Sequence, residues 1–456
     1  MIVITIPNNN LCERKYILNV IFSEFLGLEY KVEAKDIAFY EISYKENLLI
    51  IKDYFFNLFK DELSYLHQRN IPQSVKYMNN PFENGDIVVL FGDSKFTFED
   101  KVKKEIVCSV DIFASAFFML TRWEEFVNRC RDEHGRFPAY ESCAFKNDFL
   151  GRAIVNEYVE LLWRSLLHLG YQEKRMDRKF DLMLTHDVDI PFQYESFKAT
   201  ARLSASYLIL KKDYLSAFQH LLNYFKVKFG TIDDPFDTFD YLMDVSESIN
   251  KKSYFFFMAK GHSKHDAKYS IFSKKTNELI KEIQARGHYV GLHSSYDSSI
   301  DVSSFANDKR EVENAIEQAA LFGRGHFLRF EIPYTWQIWA DSGMKWDSTL
   351  CYADKEGFRC GVCYEYSVFN ILNRIKLSLK ERPLIVMDGS FQKYQSDLTA
   401  TMMRSEIMNL LNQVKKYNGT FVFLWHNSSF NVSEWKKYES VYESIVKNEK
   451  KHTLNQ

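Results

Sequence analysis

From residue 180 onward, short apolar runs alternate with helical stretches, and several of the runs close on His or Asp. Parallel strands joined by crossover helices leave this trace, since a strand covered on both faces is apolar throughout while the returning helix keeps a polar side. Seven strands are predicted, at 180–187, 253–259, 288–293, 326–331, 345–350, 384–388 and 420–426. The helices between them include 274–286, stopped by Gly287, and 400–417, stopped by Gly419 after Asn418; glycine takes a left-handed cap at little cost. The expected architecture is α/β: a distorted (β/α)7-type barrel over residues 180–456, preceded by a smaller α/β domain over residues 1–172. An insertion at about 195–230 has the amphipathic pattern of two helices and reads as a surface hairpin, or as a flap beside the site.

A chain of 456 residues exceeds the usual reach of one hydrophobic core, and the polar stretch 172–179 is where the two parts are expected to divide. Residues 1–172 mix β-like runs at 1–6 and 86–91 with helical patterns, yet gather no cluster of His or carboxylates, so no chemistry is legible there. Apolar residues ring most of segment 111–126, as in a central packed helix. With 46% hydrophobic and 26% charged residues, the composition is that of a folded globular chain. Lys and Arg number 59 against 61 Asp and Glu, and the net charge of −2 provides no field to gather nucleic acid or an anionic membrane. A neutral small molecule or a sugar fits better; the 16% aromatic residues offer stacking surfaces, although core packing accounts for most of them. No segment reaches the roughly 18 apolar residues of a membrane span. The opening MIVITIPNNN lacks the basic and apolar regions of a secretion leader, so a cytoplasmic location is expected. Seven scattered Cys suit reduced thiols there, and Cys360 and Cys363 have C-x-x-C spacing without a second pair to complete a zinc knuckle. Sequons at Asn418, Asn427 and Asn431 are expected to be chance.

In such barrels the reacting groups sit where strands end, because the loops there converge on one mouth. In LMLTHDVD, Asp187 and Asp189 are two apart, so the alternation of a strand points both carboxylates to one face. Such a pair either divides metal binding and proton handling between its members or is a solvated loop pair. The run GHYVGLHSSYD carries His293 and VFLWHN carries His426; either one alone is more often a satisfied core histidine. Arg329 in HFLRFEIPY and Asp388 in PLIVMDGS add a guanidinium and a carboxylate to the same rim, each of which alone reads as a structural ion pair.

At these residues the sequence resembles the polysaccharide deacetylase (NodB-homology) superfamily, carbohydrate esterase family 4, over roughly residues 180–427 and with the motifs in the family's order. Where that family opens with T-F-D-D-G, THDVD here implies Asp187 as base and Asp189 as metal ligand, displaced by one position. Its H-S/T-x-x-H motif corresponds to HSSYD, which supplies His293 and puts Asp297 where the second His belongs. An Arg followed by Pro and an aromatic corresponds to Arg329, Pro333 and Tyr334; Asp388 and the run Leu424, Trp425, His426 correspond to the remaining motifs. The preceding region, with LTRWEEF and EHGRF, resembles that of a bacterial subgroup associated with surface-polysaccharide synthesis, in which R-x-H-[YF]-L-R is common. RGHFLR in this chain nominates His326 as a third ligand. Asp297 competes, since four residues after His293 on a helical turn would share its face.

The resemblance implies a hydrolase that removes an acetyl group from an N-acetylated sugar of a bacterial polysaccharide or its precursor. It implies a divalent ion, zinc in the first instance, held by Asp189, His293 and a third group to polarise the acetyl carbonyl. Asp187, kept ionised by Arg329, takes a proton from water, and His426, oriented by Asp388, protonates the departing amine. Two other readings stand beside it: a metal-free, allantoinase-like C–N hydrolase, which the altered HSSYD favours, and a catalytically silent glycan-binding or scaffold protein of polysaccharide biosynthesis. Retention of Asp187, Arg329 and His426 speaks against the silent one. The segment DPFDTFDYL from Asp234 either borders the mouth or merely starts a helix after Pro235.

Overall fold

In the computed structural model, which describes residues 1–100, 103–210, 212–259, 261, 263–395 and 397–453, the N-terminal half is organised by strands that alternate buried and half-exposed residues. These are β1 (Ile2–Pro7), β2 (Tyr30–Lys35), β3 (Phe39–Tyr44), β4 (Asn47–Lys52), β5 (Lys76–Asn79), β6 (Asp86–Val89), β7 (Gly92–Asp100) and β8 (Lys104–Val110). Six of them form a mixed sheet in the order β2-β1-β3-β4-β8-β7, and β5 pairs with β6 alone. The helix Ile112–Thr121 is buried at every position, as its unbroken apolar circumference requires. Asp111 caps it by accepting the Ala114 N–H at 3.0 Å.

The C-terminal half follows with β9 (Asp181–Val188), β10 (Tyr254–Met258), β11 (Tyr289–Ser294), β12 (Phe322–Gly325), β13 (Trp346–Asp347), β14 (Tyr366–Asn370), β15 (Ile375–Glu381), β16 (Val386–Met387) and β17 (Thr420–Leu424). Their order is β14-β15-β13-β12-β11-β10-β9-β17-β16, parallel except where β14 runs against β15. Two expectations are corrected. The fourth strand lies at Phe322–Gly325, ahead of the expected 326–331, and the hairpin β14–β15 extends the sheet beyond β13. Of the distorted barrel that was expected, the parallel sheet is present, and among the described residues its two end strands do not pair. It nevertheless curls, because Met183 of β9, Phe256 of β10, Trp346 of β13 and Val422 of β17 meet in one buried cluster, and strands this far apart in the order touch only if the sheet bends round them.

The two halves share one continuous hydrophobic core. Tyr16 packs on Phe369 with ring centroids 4.6 Å apart, and the Tyr366 hydroxyl donates to the Leu120 carbonyl at 2.8 Å. The insertion forms two helices, Phe197–Ile209 and Tyr214–Lys228. No helix among the described residues is long and apolar enough to cross a membrane. Cys360 and Cys363 are free and buried, and burial pushes the Cys360 thiol up to about 12.

His186, on the face of β9 opposite Asp187, is wholly buried, with Nδ1 2.7 Å from the Trp425 carbonyl and Nε2 3.2 Å from the Ser253 hydroxyl. This arrangement suits the neutral ring, and burial brings its pKa down to about 4. The unfolded chain takes up this proton near pH 6.5 and the folded chain only near 4, so stability falls as pH drops through that window. We expect a loss of about 2 kcal/mol between pH 7 and 5 from this group. Urea midpoints should therefore depend on pH less steeply in His186→Asn than in the wild type; equal slopes would exclude the assignment.

Candidate metal and proton-transfer site

β9 delivers the two carboxylates. Asp187 lies on its inner face, 3% exposed, and Asp189 stands just past the strand's end with its side chain 34% exposed. β11, two places along the sheet, carries His293 beside Arg324 of β12, and the His293 Nδ1 lies 2.9 Å from the Arg324 carbonyl. Gly323 is what lets β12 approach so closely, since a Cβ there would stand 1.9 Å from the Leu292 carbonyl oxygen. Beyond β12 the chain turns sharply through Phe327 and Leu328, both left-handed (φ 61° and 55°), and this turn leaves His326 facing inward.

Ligand atoms of Asp189, His293 and His326 all lie within 4.8 Å of one another. Nε2 of His293 is 3.2 Å, and Nε2 of His326 3.5 Å, from Oδ1 of Asp189. That oxygen is buried and accepts no well-formed hydrogen bond. On each ring the other nitrogen is engaged, by the Arg324 carbonyl for His293 and by Asp266 at 3.4 Å for His326. With Nδ1 donating, Nε2 of the neutral ring is a lone pair aimed at a carboxylate oxygen, so the arrangement calls for a proton or a cation between them. The donor set, two imidazoles and one carboxylate, fits zinc. Burial works against the charge on Asp189, but the imidazoles of His326, His293 and His426 outweigh it and hold the carboxyl well below its ordinary range.

On the opposite side Asp388 is fully buried and fixes His426. Its Oδ1 accepts from the His426 Nδ1 at 2.7 Å, while Oδ2 accepts the His426 backbone N–H at 2.9 Å and the Ser429 hydroxyl at 2.6 Å. The free Nε2 of His426 lies 3.7 Å from Asp189 Oδ2. Burial opposes the imidazolium, yet the Asp388 carboxylate and its hydrogen bond, with Asp189 and Asp187 beyond, raise His426 to about 9. That shift favours the imidazolium form at neutral pH.

The guanidinium at Asp187 belongs to Arg324, not to Arg329. Arg324 is fully buried and reaches Asp187 Oδ1 at 2.8 Å, the Thr185 hydroxyl at 3.1 Å and the Ser348 carbonyl at 2.8 Å. Arg329 follows the left-handed turn, which swings it outward. There it donates to the His134 carbonyl at 2.9 Å and lies over the Tyr296 ring at 3.9 Å. Asp297 sits in a short 3-10 turn after β11 instead of on a helix, so it points away, 62% exposed and 3.6 Å from Arg329. The cluster with Asp189 and His293 contains His326, not Asp297.

Comparison with known proteins adds little at this level of detail. Residues 2–171 match a family model described as a family of unknown function, DUF7033. No curated protein matches the chain significantly. Among solved structures, one assigned as a polysaccharide deacetylase from Mycobacterium smegmatis is 15% identical, covers 60% of this chain and 84% of its own, and has a TM-score of 0.38. A polysaccharide deacetylase from Bacillus cereus is 16% identical over 60% of this chain and 89% of its own, with a TM-score of 0.29. A CE4 family pseudoenzyme from Bacillus anthracis is 11% identical over 59% and 62%, also at 0.29. These likenesses decide nothing about the chemistry, which rests on this chain's own side chains.

The four side chains Asp187, Asp189, His293 and His426 line a cavity of about 240 Å³ together with His326. Part of its wall comes from the N-terminal half, where sequence reasoning found no chemistry. His134 and Arg136 line the same cavity, and Arg136 bonds the Tyr394 hydroxyl at 2.8 Å and the Phe327 carbonyl at 3.1 Å. The run EHGRF contains both residues, but nothing in its spacing indicates that it folds across the mouth of the other half. The Asp234 segment does not reach the cavity; its carboxylate accepts the backbone N–H groups of Gln193 and Tyr194 at 2.9 and 2.8 Å and closes the base of the insertion.

Proposed function

We propose that this cavity removes the acetyl group from an N-acetylated sugar of a bacterial polysaccharide or its precursor, with a divalent ion, zinc in the first instance, held by Asp189, His293 and His326. The observation that carries this reading is the convergence of three sets at one mouth: the Asp189, His293, His326 trio, the Asp187–Arg324 pair and the Asp388–His426 pair. When bound, the ion polarises the acyl carbonyl and acidifies a water. Asp187, anchored through one oxygen by Arg324, receives the proton of the attacking water. His426, its Nδ1 locked on Asp388, presents Nε2 to the leaving nitrogen and delivers a proton as the C–N bond breaks. The cavity of about 240 Å³ is smaller than a drug-sized pocket, which suits one sugar residue with its acetamido group.

The test is acetate release from N-acetylated oligosaccharides, run together with elemental analysis of the purified protein. One metal per chain and loss of turnover on chelation are expected; hydrolysis by metal-free protein would overturn the role of the trio. His326→Ala should weaken metal binding by more than about 100-fold, beyond the effect typical of an outer partner, whereas Asp297→Ala keeps stoichiometric metal. Titration with a chromophoric chelator distinguishes the two. Likewise Arg324→Met should lower kcat/KM by about 100-fold or more, because the base loses its anchor, while Arg329→Met stays within tenfold. The opposite ranking would restore Arg329 to the site.

A further inference from the structure

The hairpin inserted between β9 and β10 carries an apolar surface that none of the described residues covers. On the helix Tyr214–Lys228 and the residue after it, Leu215, Phe218, Leu222, Phe225 and Phe229 recur at spacings of three and four, and all five are exposed. That spacing draws one continuous stripe along a helix, the pattern usually turned inward. At the hairpin's tip Leu208, Ile209 and Leu210 add exposures of 46%, 69% and 78%. Of the 31 large apolar side chains exposed among the described residues, 11 fall between Phe197 and Ile232, so the apolar surface is concentrated here.

The charge of the same segment says what covers it. Residues 196–232 hold six basic side chains, Lys198, Arg202, Lys211, Lys212, Lys226 and Lys228, against the single acid Asp213. This stretch is thus +5 within a chain whose net charge is −2, so the rest of the molecule is acidic. We propose that the hairpin docks the protein on an anionic lipid surface, its apolar stripe entering the headgroup boundary and its Lys and Arg meeting the lipid phosphates. A second copy of the chain is the poorer occupant: a two-fold contact through this face would set one +5 segment against another. The base of the hairpin is closed by Asp234 on Gln193 and Tyr194, four and five residues beyond Asp189, so the hairpin is tied to the chain just past the site.

The experiment is co-sedimentation of the full-length protein with vesicles of phosphatidylcholine alone and of phosphatidylcholine with phosphatidylglycerol, with light scattering of the free protein. Binding to the anionic vesicles is expected, weak on the neutral ones and falling as salt rises. Leu215→Glu with Phe218→Glu should reduce the partition coefficient at least tenfold. Lys226→Gln with Lys228→Gln should reduce it by roughly 25-fold, at about fivefold per lost basic side chain. These positions are largely solvent-facing, so circular dichroism should show both variants folded. The proposal fails if wild-type protein stays in the supernatant with anionic vesicles or if both variants sediment as the wild type does. It also fails if light scattering shows a dimer that Leu215→Glu with Phe218→Glu dissolves.

Discussion

Asp187→Asn is expected to lower turnover of an acetylated sugar by about 10²–10⁴-fold while metal content stays at one ion per chain. The expectation follows from where the side chain sits. Asp187 is 3% exposed and held on Oδ1 by Arg324, yet it belongs to none of the ligand-atom contacts that bring Asp189, His293 and His326 together. An amide of the same shape can still accept from Arg324 through its carbonyl oxygen, so the fold and the trio are preserved, but it takes up no proton near neutral pH. Asp189→Asn is the contrasting case: it removes a charged ligand and should lose metal and activity together. If Asp187→Asn also lost the metal, the division of labour between the two carboxylates would be wrong.

That both carboxylates reach one mouth was legible in the sequence because a strand has a period of two. Asp187 and Asp189 share a face by that alternation, and His186, one residue before Asp187, takes the opposite one; it is found against Ser253 and the Trp425 carbonyl. His293 and His426 were similarly placed by the ends of their apolar runs. Arg324 was overlooked although the run RGHFLR begins with it. A strand at 326–331 begins four residues too late, which puts Arg324 before it and Arg329 near its middle. Only the left-handed turn at Phe327 and Leu328 reverses that assignment, and neither residue is a glycine that would advertise such a turn. Asp297 fails for a related reason, since four-residue spacing joins two side chains only on a helix, and here a strand gives way to a short 3-10 turn. The hairpin β14–β15 and the wall built by His134 and Arg136 depend on contacts between distant parts of the chain, which no local pattern records.

The joint between the halves supports the largest effect on stability. Glu125, 1% exposed, accepts from Arg359 Nε at 2.9 Å and Nη2 at 2.5 Å, and from Arg122 Nε at 2.9 Å. Arg359 lies in the C-terminal half and Arg122 at a left-handed position between two N-terminal helices, also bonded to Glu124 at 3.1 Å and to the Tyr352 hydroxyl at 3.0 Å. Burial opposes the Glu125 charge, but the two guanidiniums, Arg359 foremost, bring its pKa down to about 2. Glu125→Ala therefore leaves Arg359 buried without a counter-charge and Arg122 with one carboxylate in place of two. Breaking a buried pair from one side costs about 3–5 kcal/mol, a large fraction of the 5–15 kcal/mol that holds a typical domain together. We expect chemical denaturation of Glu125→Ala to show a loss of that size, and residues 173–456 expressed alone to aggregate, because Arg359 and the faces of Tyr366 and Phe369 would meet water. A loss below about 1 kcal/mol would mean that water or a rearranged Glu124 replaces Glu125. Replacing Glu125 and Arg359 together by Met should recover much of the stability, since the penalty comes from the orphaned charge and not from absence of the pair.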